Sequence, residues 1–104
     1  MPTTGLALHT DKYQINMIYA HWMNGTHLRR TVFEAYFRKL PFGNGYAVFA
    51  GLERIVDYIR QLRFTEEDLA YLDKQEENYK PEFLEFLRNF EFKGTLLSMA
   101  EGAL

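Results

Sequence analysis

The sequence contains no cysteine, only three prolines and a single tryptophan in 104 residues. The absence of cysteine excludes disulfide bonds, thiolate nucleophiles and zinc–thiolate sites, and it is compatible with a reducing cytoplasm. The chain also lacks an excess of one charge: 14 acidic and 12 basic side chains give a net charge of −2, which argues against binding to a nucleic-acid backbone. No apolar run approaches the ~20 residues of a membrane span, and no charged-then-apolar leader is expected at the start.

Apolar residues are plentiful and recur at helical spacing in four segments of the sequence. This spacing predicts helices at about residues 11–24, 52–62 and 65–74, and a shorter one that begins at Pro81. With 47% hydrophobic residues the chain can build a core, and its length suits one domain, residues 1–104.

Residues at the predicted helix ends support these boundaries. Asp11 and Gln14 have the spacing of a capping box, and Gly25 can adopt the left-handed conformation that ends a helix. Thr65 is the predicted N-cap of the third helix, whose first turn is acidic.

Three further segments read as strands. Apolar and polar residues alternate over residues 31–38, a short apolar run occupies 46–50, and a last strand is predicted over 92–100. The expected fold class is therefore α+β, a small mixed domain of about three strands and four helices. Because the last predicted strand runs close to the end of the chain, we expect these residues to be part of a longer protein.

The sequence shows no complete catalytic apparatus. His9, His21 and His27 fit no metal-ligand spacing and are predicted to be polar surface residues. Residues 43–45 (GNG) lack the lysine and hydroxyl residue that end a phosphate-binding loop, so a tight turn is the preferred interpretation. No residue of this chain is predicted to be catalytic or to bind a metal.

Two features of the sequence suggest a role in ligand binding in addition to a structural role. Tyr13 lies in the first turn of the first helix, where backbone N–H groups attract anions and an aromatic ring can stack on a flat heterocycle. From the residues alone, packing in the core is the preferred interpretation for this tyrosine. Arg38 and Lys39 form a pair of cations at the end of a predicted strand, where they could bind a phosphate. An ordinary solvated strand end explains this pair nearly as well.

Five motifs in colinear order carry a family resemblance. They are residues 8–14 (LHTDKYQ), 33–43 (FEAYFRKLPFG), 49–52 (FAGL), 81–84 (PEFL) and 99–102 (MAEG). Together they resemble the N-terminal portion of nicotinate phosphoribosyltransferases. Two positions differ from the family pattern: Asn44 stands where the family has a second glycine, and Ala100 where it usually has proline. Neither difference falls on Tyr13, Arg38 or Lys39.

The resemblance implies that the chain precedes a phosphoribosyltransferase α/β barrel that is absent from this sequence. It implies transfer of a phosphoribosyl group from phosphoribosyl diphosphate to nicotinate, giving nicotinate mononucleotide for NAD salvage in the cytoplasm. It also implies coupled ATP hydrolysis through a phosphorylated histidine of the barrel, and Mg²⁺. None of the residues for ATP and Mg²⁺ is expected in this chain.

Three residues inherit roles from the resemblance. Tyr13 matches the tyrosine that stacks on nicotinate, reaching the site of the neighbouring subunit in a homodimer. Arg38 matches the position of a cation near the diphosphate, and Lys39 could take this role instead.

Two alternatives remain open from the sequence. The chain could be a non-catalytic module for dimerisation or assembly, since the 104 residues alone are expected to be inactive. Within the enzyme class, a nicotinamide-using phosphoribosyltransferase is the second choice, because base selectivity depends on residues outside this chain.

Overall fold

A computed structural model describes residues 5–104 and shows four helices in this range. They are α1 (Lys12–Met23), α2 (Leu52–Gln61), α3 (Glu66–Asp73) and α4 (Pro81–Arg88), with one additional 3-10 turn at Pro41–Gly43. The four predicted helices are confirmed, and each end that the sequence predicts lies within one residue of the observed one. None of the helices in residues 5–104 is long and apolar enough to cross a membrane.

The capping of two helices differs from what their sequences suggest. The predicted capping box of α1 is wrong: the Asp11 side chain makes no capping hydrogen bond, and the Gln14 side-chain oxygen instead accepts a 2.6 Å bond from the Thr10 hydroxyl. A complete capping box is found at α3. There the Thr65 side chain accepts from the Asp68 N–H at 3.1 Å, and the Asp68 carboxylate accepts from the Thr65 N–H at 3.0 Å. Thr65 is therefore confirmed as a cap.

The hydrophobic core lies between α1, α3, α4 and the connection that precedes α4. Phe83 and Leu87 of α4 are the largest completely buried side chains in the described range. The remaining members of the buried cluster are Ile15, Leu69, Leu72, Tyr79 and Leu84. No residue of α2 is buried, so α2 stands outside this core.

The α+β fold class is wrong for the described residues, because residues 5–104 contain no strand. Alternation over 31–38 predicts two faces for the segment but supplies no partner for its backbone, and a strand exists only when it is hydrogen-bonded to a neighbour. Phe49, in the second predicted strand, bonds to residues that follow the third one. Its N–H donates to the Ala103 carbonyl at 2.8 Å, and its carbonyl accepts from the Gly102 N–H at 2.7 Å.

The absence of a sheet in residues 5–104 leaves much apolar surface uncovered. Phe33 is 90% exposed and Leu97 is 89% exposed, although both lie in segments predicted as strands. The radius of gyration is 16.4 Å, whereas a compact chain of this length would have about 13 Å. The strand on which the expectation of a longer protein depended is not formed.

Candidate functional site

Tyr13 is the second residue of α1, and its ring is 59% exposed. It makes no ring contact or side-chain hydrogen bond within the described residues, so packing in the core does not explain it. Because Asp11 makes no capping bond, its carboxylate does not occupy the N–H groups of the first turn of α1. An accessible aromatic ring thus lies beside the positive end of a helix dipole.

The first two turns of α1 are held from one side by polar contacts. Lys12 Nζ lies 2.9 Å from Glu77 Oε1, and Asn16 Nδ2 donates to Glu77 Oε2 at 3.2 Å. The Tyr79 hydroxyl donates to Asn16 Oδ1 at 2.5 Å. The contact between Lys12 and Glu77 raises the pKa of the lysine and lowers the pKa of the glutamate, which widens the pH range over which both groups are charged.

Arg38 and Lys39 lie in an exposed segment without regular structure, immediately before the turn at Pro41–Gly43. Neither side chain has a hydrogen bond or ion pair with any residue in the range 5–104, so both cations are available to an anion. Phe42 in this turn has φ +58°, a left-handed conformation that costs a non-glycine residue about 1–2 kcal/mol. The structure shows no contact that brings Tyr13 together with this pair.

The three histidines differ in their surroundings. His9 and His21 are exposed, as predicted, whereas His27 is partly buried and packs edge-on against Phe86 with ring centroids 5.0 Å apart. His27 therefore contributes to packing beside the core.

Glu101 is a structurally important residue that the sequence interpretation missed as a site. Its two carboxylate oxygens accept hydrogen bonds from the Gly51 N–H at 2.7 Å and the Leu52 N–H at 2.9 Å. Glu101 thus caps the N-terminus of α2 from 49 residues away along the chain. Gly51 gave only a partial signal: a glycine N-cap has no side-chain acceptor, so the first amides of α2 are left to water or to a group from elsewhere in the chain. The contact brings two of the five family motifs together.

The Glu101 cap is expected to weaken in acid. The N–H groups of Gly51, and then of Leu52, lower the pKa of this carboxyl below its usual 4.5 despite a smaller opposing effect of desolvation. Because the pKa is lower in the folded state, the cap stabilises the fold above the pKa of the unfolded state, and this stabilisation is lost as the pH falls through the folded pKa.

Nuclear magnetic resonance can test this pH dependence. We expect the amide chemical shifts of Gly51 and Leu52 to change together as Glu101 is protonated, with a midpoint below pH 4.5. Glu101→Gln should abolish this change. A midpoint at or above 4.5 would contradict the capping geometry.

The described residues thus form a helical domain that presents an aromatic ring at a helix N-terminus and a pair of cations on an exposed segment. The chain belongs to the family of nicotinate phosphoribosyltransferase (NAPRTase) N-terminal domains, whose family model matches residues 8–104. The resemblance inferred from the five motifs is confirmed.

Three curated relatives illustrate this membership. The chain is 52% identical over 99 residues to the nicotinate phosphoribosyltransferase of Bacillus subtilis, covering 95% of this chain and 20% of that protein. It is 41% identical over 99 residues to the Caenorhabditis elegans enzyme of the same name, covering 93% of this chain and 18% of that protein. It is 38% identical over 98 residues to the nicotinate phosphoribosyltransferase of Dictyostelium discoideum, covering 93% of this chain and 17% of that protein. The chain therefore spans about a fifth of the length of these relatives.

Proposed function

We propose that this chain is the N-terminal part of a nicotinate phosphoribosyltransferase that acts in NAD salvage as a cytoplasmic homodimer. The observation that carries this proposal is the 52% identity over 95% of the chain to an enzyme of that name. In the proposed reaction the pyridine nitrogen of nicotinate forms a bond to C1 of the ribose, and the bond from C1 to the diphosphate oxygen breaks. The products are nicotinate mononucleotide and diphosphate, and ATP is hydrolysed to ADP and phosphate in the coupled step.

Tyr13 is the proposed stacking residue for nicotinate. The exposure of its ring and the absence of an Asp11 cap support this role. Nicotinate is a planar anion, so its ring can lie against the tyrosine while its carboxylate is attracted by the positive end of α1. In the proposed homodimer, Tyr13 acts in the site of the neighbouring subunit.

Arg38 and Lys39 are the proposed cations for phosphoribosyl diphosphate. Negative charge develops on the departing diphosphate, and a cation held nearby stabilises it. The exposure of both side chains and their lack of a partner in the range 5–104 support this role. Arg38 is the first choice because a guanidinium can bind a phosphate through two parallel hydrogen bonds.

The proposal also includes Mg²⁺ and ATP, whose binding residues we expect outside this chain. In residues 5–104 no three histidine or acidic side chains come together in a group that could hold a metal ion. We assign no residue of this chain to Mg²⁺ or ATP and derive no step through them.

The reaction can be tested with the full-length enzyme to which we assign this chain. We expect it to form nicotinate mononucleotide from nicotinate and phosphoribosyl diphosphate, whereas the 104-residue chain alone forms none. Chromatographic detection of the product measures both. Product from the isolated chain would show that its catalytic residues were overlooked. A full-length protein inactive with nicotinate would refute the proposal. Activity with nicotinamide would then favour the nicotinamide-using enzyme, and inactivity with both bases would favour an assembly module.

Tyr13→Ala in the full-length enzyme is expected to raise the KM for nicotinate roughly 2- to 13-fold. This range corresponds to about 0.5–1.5 kcal/mol for a stacked aromatic pair. Steady-state kinetics measure the change, and Tyr13→Phe, which keeps the ring, should stay close to the wild type. Tyr36→Ala is a matched control, since Tyr36 is similarly exposed but lies away from a helix terminus. An unchanged KM in Tyr13→Ala would remove this residue from the site.

A further inference from the structure

The connection between α3 and α4 contacts one face of α1 over successive turns. Lys12, Asn16 and Tyr19 are spaced by four and three residues, so they lie on the same side of the helix. The first two meet Glu77 through the 2.9 Å ion pair and the 3.2 Å hydrogen bond described above. One turn further, the Tyr19 hydroxyl accepts a bond from the Lys80 N–H at 3.3 Å. The connection therefore holds α1 along about two turns.

The backbone of this connection is shaped to make these contacts. Asn78 has φ +53°, a left-handed conformation that asparagine adopts more readily than most residues. The residues on its two sides, Glu77 and Tyr79, both reach Asn16. Tyr79 is only 3% exposed and belongs to the core. Because Tyr79 anchors the connection in the core, Glu77 is held at a defined place beside the first turn of α1.

Tyr13 follows Lys12 directly, so the two side chains leave α1 about 100° apart. The buried Ile15 seats α1 on the core, and the contacts of Lys12 and Asn16 with Glu77 hold its first two turns from one side against turning or fraying. Together these contacts set the direction in which the Tyr13 ring projects. A rotation of the helix would turn the ring away from a ligand without altering the ring itself.

We propose that Glu77 is a positioning residue for the nicotinate site. Its carboxylate binds Lys12 and Asn16, holds the first turn of α1 against turning or fraying, and so orients the ring of Tyr13. This inference rests on the proposed function, because it concerns how the proposed stacking residue is held. It assigns a role to residues that lie outside the five family motifs, apart from Lys12.

The test is a charge exchange in the full-length enzyme. Lys12→Glu and Glu77→Lys each place like charges against each other, and each is expected to raise the KM for nicotinate by up to the roughly 2- to 13-fold of Tyr13→Ala. The kcat and the KM for phosphoribosyl diphosphate should stay within about twofold of the wild type. The double variant Lys12→Glu/Glu77→Lys, which restores opposite charges, should return the KM for nicotinate towards the wild-type value.

Two further variants complete the design. Asp73→Lys makes the same change of charge at an exposed residue of α3 with no ion pair in the described range, and it should leave all constants unchanged. Glu77→Gln keeps the size of the side chain without its charge, so it should fold and show a smaller increase in the KM for nicotinate. The single tryptophan, Trp22, packs against Tyr19 and Phe83, and its fluorescence reports whether each variant is folded.

The outcomes distinguish a failure of the positioning role of Glu77 from a failure of the proposed function. If Tyr13→Ala raises the KM for nicotinate but the folded Glu77 variants do not, Glu77 has no positioning role and the proposed function stands. If the Glu77 variants change kcat and both KM values together, or if the double variant fails to recover, the effect is general destabilisation and the inference is overturned. If Tyr13→Ala itself has no effect, the assignment of the nicotinate site fails first.

Discussion

Replacing Phe83 by alanine is expected to lower the free energy of unfolding by about 3–5 kcal/mol. Phe83 has no exposed surface, and its ring contacts four others, with centroids 4.7 Å from Tyr19, 5.6 Å from Tyr79, 5.6 Å from Trp22 and 6.2 Å from Phe86. Truncation would remove the shared partner of rings that come from α1, α4 and the connection before α4. Urea unfolding followed by tryptophan fluorescence and circular dichroism measures the loss.

Phe33→Ala is the matched control for this prediction. It removes the same ring from a position that is 90% exposed, so the free energy of unfolding should change by no more than about 0.5 kcal/mol. Domains of this size are stable by only about 5–15 kcal/mol, so Phe83→Ala should shift the urea midpoint far more than Phe33→Ala. Equal losses in the two variants would contradict the position of the core.

Arg38→Ala in the full-length enzyme is expected to raise the KM for phosphoribosyl diphosphate by roughly 13- to 160-fold. The range corresponds to about 1.5–3 kcal/mol for hydrogen bonds to a charged group. Because no residue in the range 5–104 binds the Arg38 side chain, the substitution breaks no described contact and stability should be unaffected. The KM for nicotinate should change much less. Steady-state kinetics with each substrate varied in turn measure both constants.

Two control variants test whether Arg38 is the cation that binds phosphoribosyl diphosphate. Arg30→Ala removes the same type of side chain from another exposed position and should leave the KM for phosphoribosyl diphosphate unchanged. Lys39→Ala tests the alternative within the pair, and a larger effect there than in Arg38→Ala would transfer the role to the lysine. If Arg38→Ala raised the KM for nicotinate more than that for phosphoribosyl diphosphate, the arginine would belong to the base-binding side.

The four helices could be predicted because their signals are local. Apolar spacing defines the buried stripe of α4, and Thr65 and Pro81 mark helix starts through effects confined to one turn. The three predicted strands are wrong for the described residues. Alternation over 31–38 describes only the side chains, whereas a strand depends on a backbone partner elsewhere in the chain. The error at Asp11 is of a different kind, because the competing partner is local: Gln14 accepts a hydrogen bond from Thr10, four residues earlier, instead of completing the capping box.

The same distinction between local and long-range signals separates the residues of the candidate site that the sequence predicted from those that it did not. Tyr13 could be found because its place in the first turn of α1 follows from the helix itself, and Arg38 and Lys39 because adjacent cations stand out in the sequence. The contacts made by Glu77 and Glu101 could not, because each acidic residue acts on a helix 49–65 positions away. Their partners become neighbours only through the packing of α3 and α4 on α1 and through the return of the chain end to α2. The roles of Tyr13, Arg38 and Lys39 stay predictions until the variants are measured.

The Glu101 cap has a consequence for the order of events during synthesis of the chain. A ribosome that adds about 5–20 residues per second reaches Glu101 roughly 2–10 s after Leu52, so α2 exists for that time without the acceptor for its first two amides. The core of α1, α3 and α4 needs only residues up to Leu87. The chain can therefore complete its core while α2 is still uncapped, and the residue that fixes the start of α2 emerges after all the residues of the core.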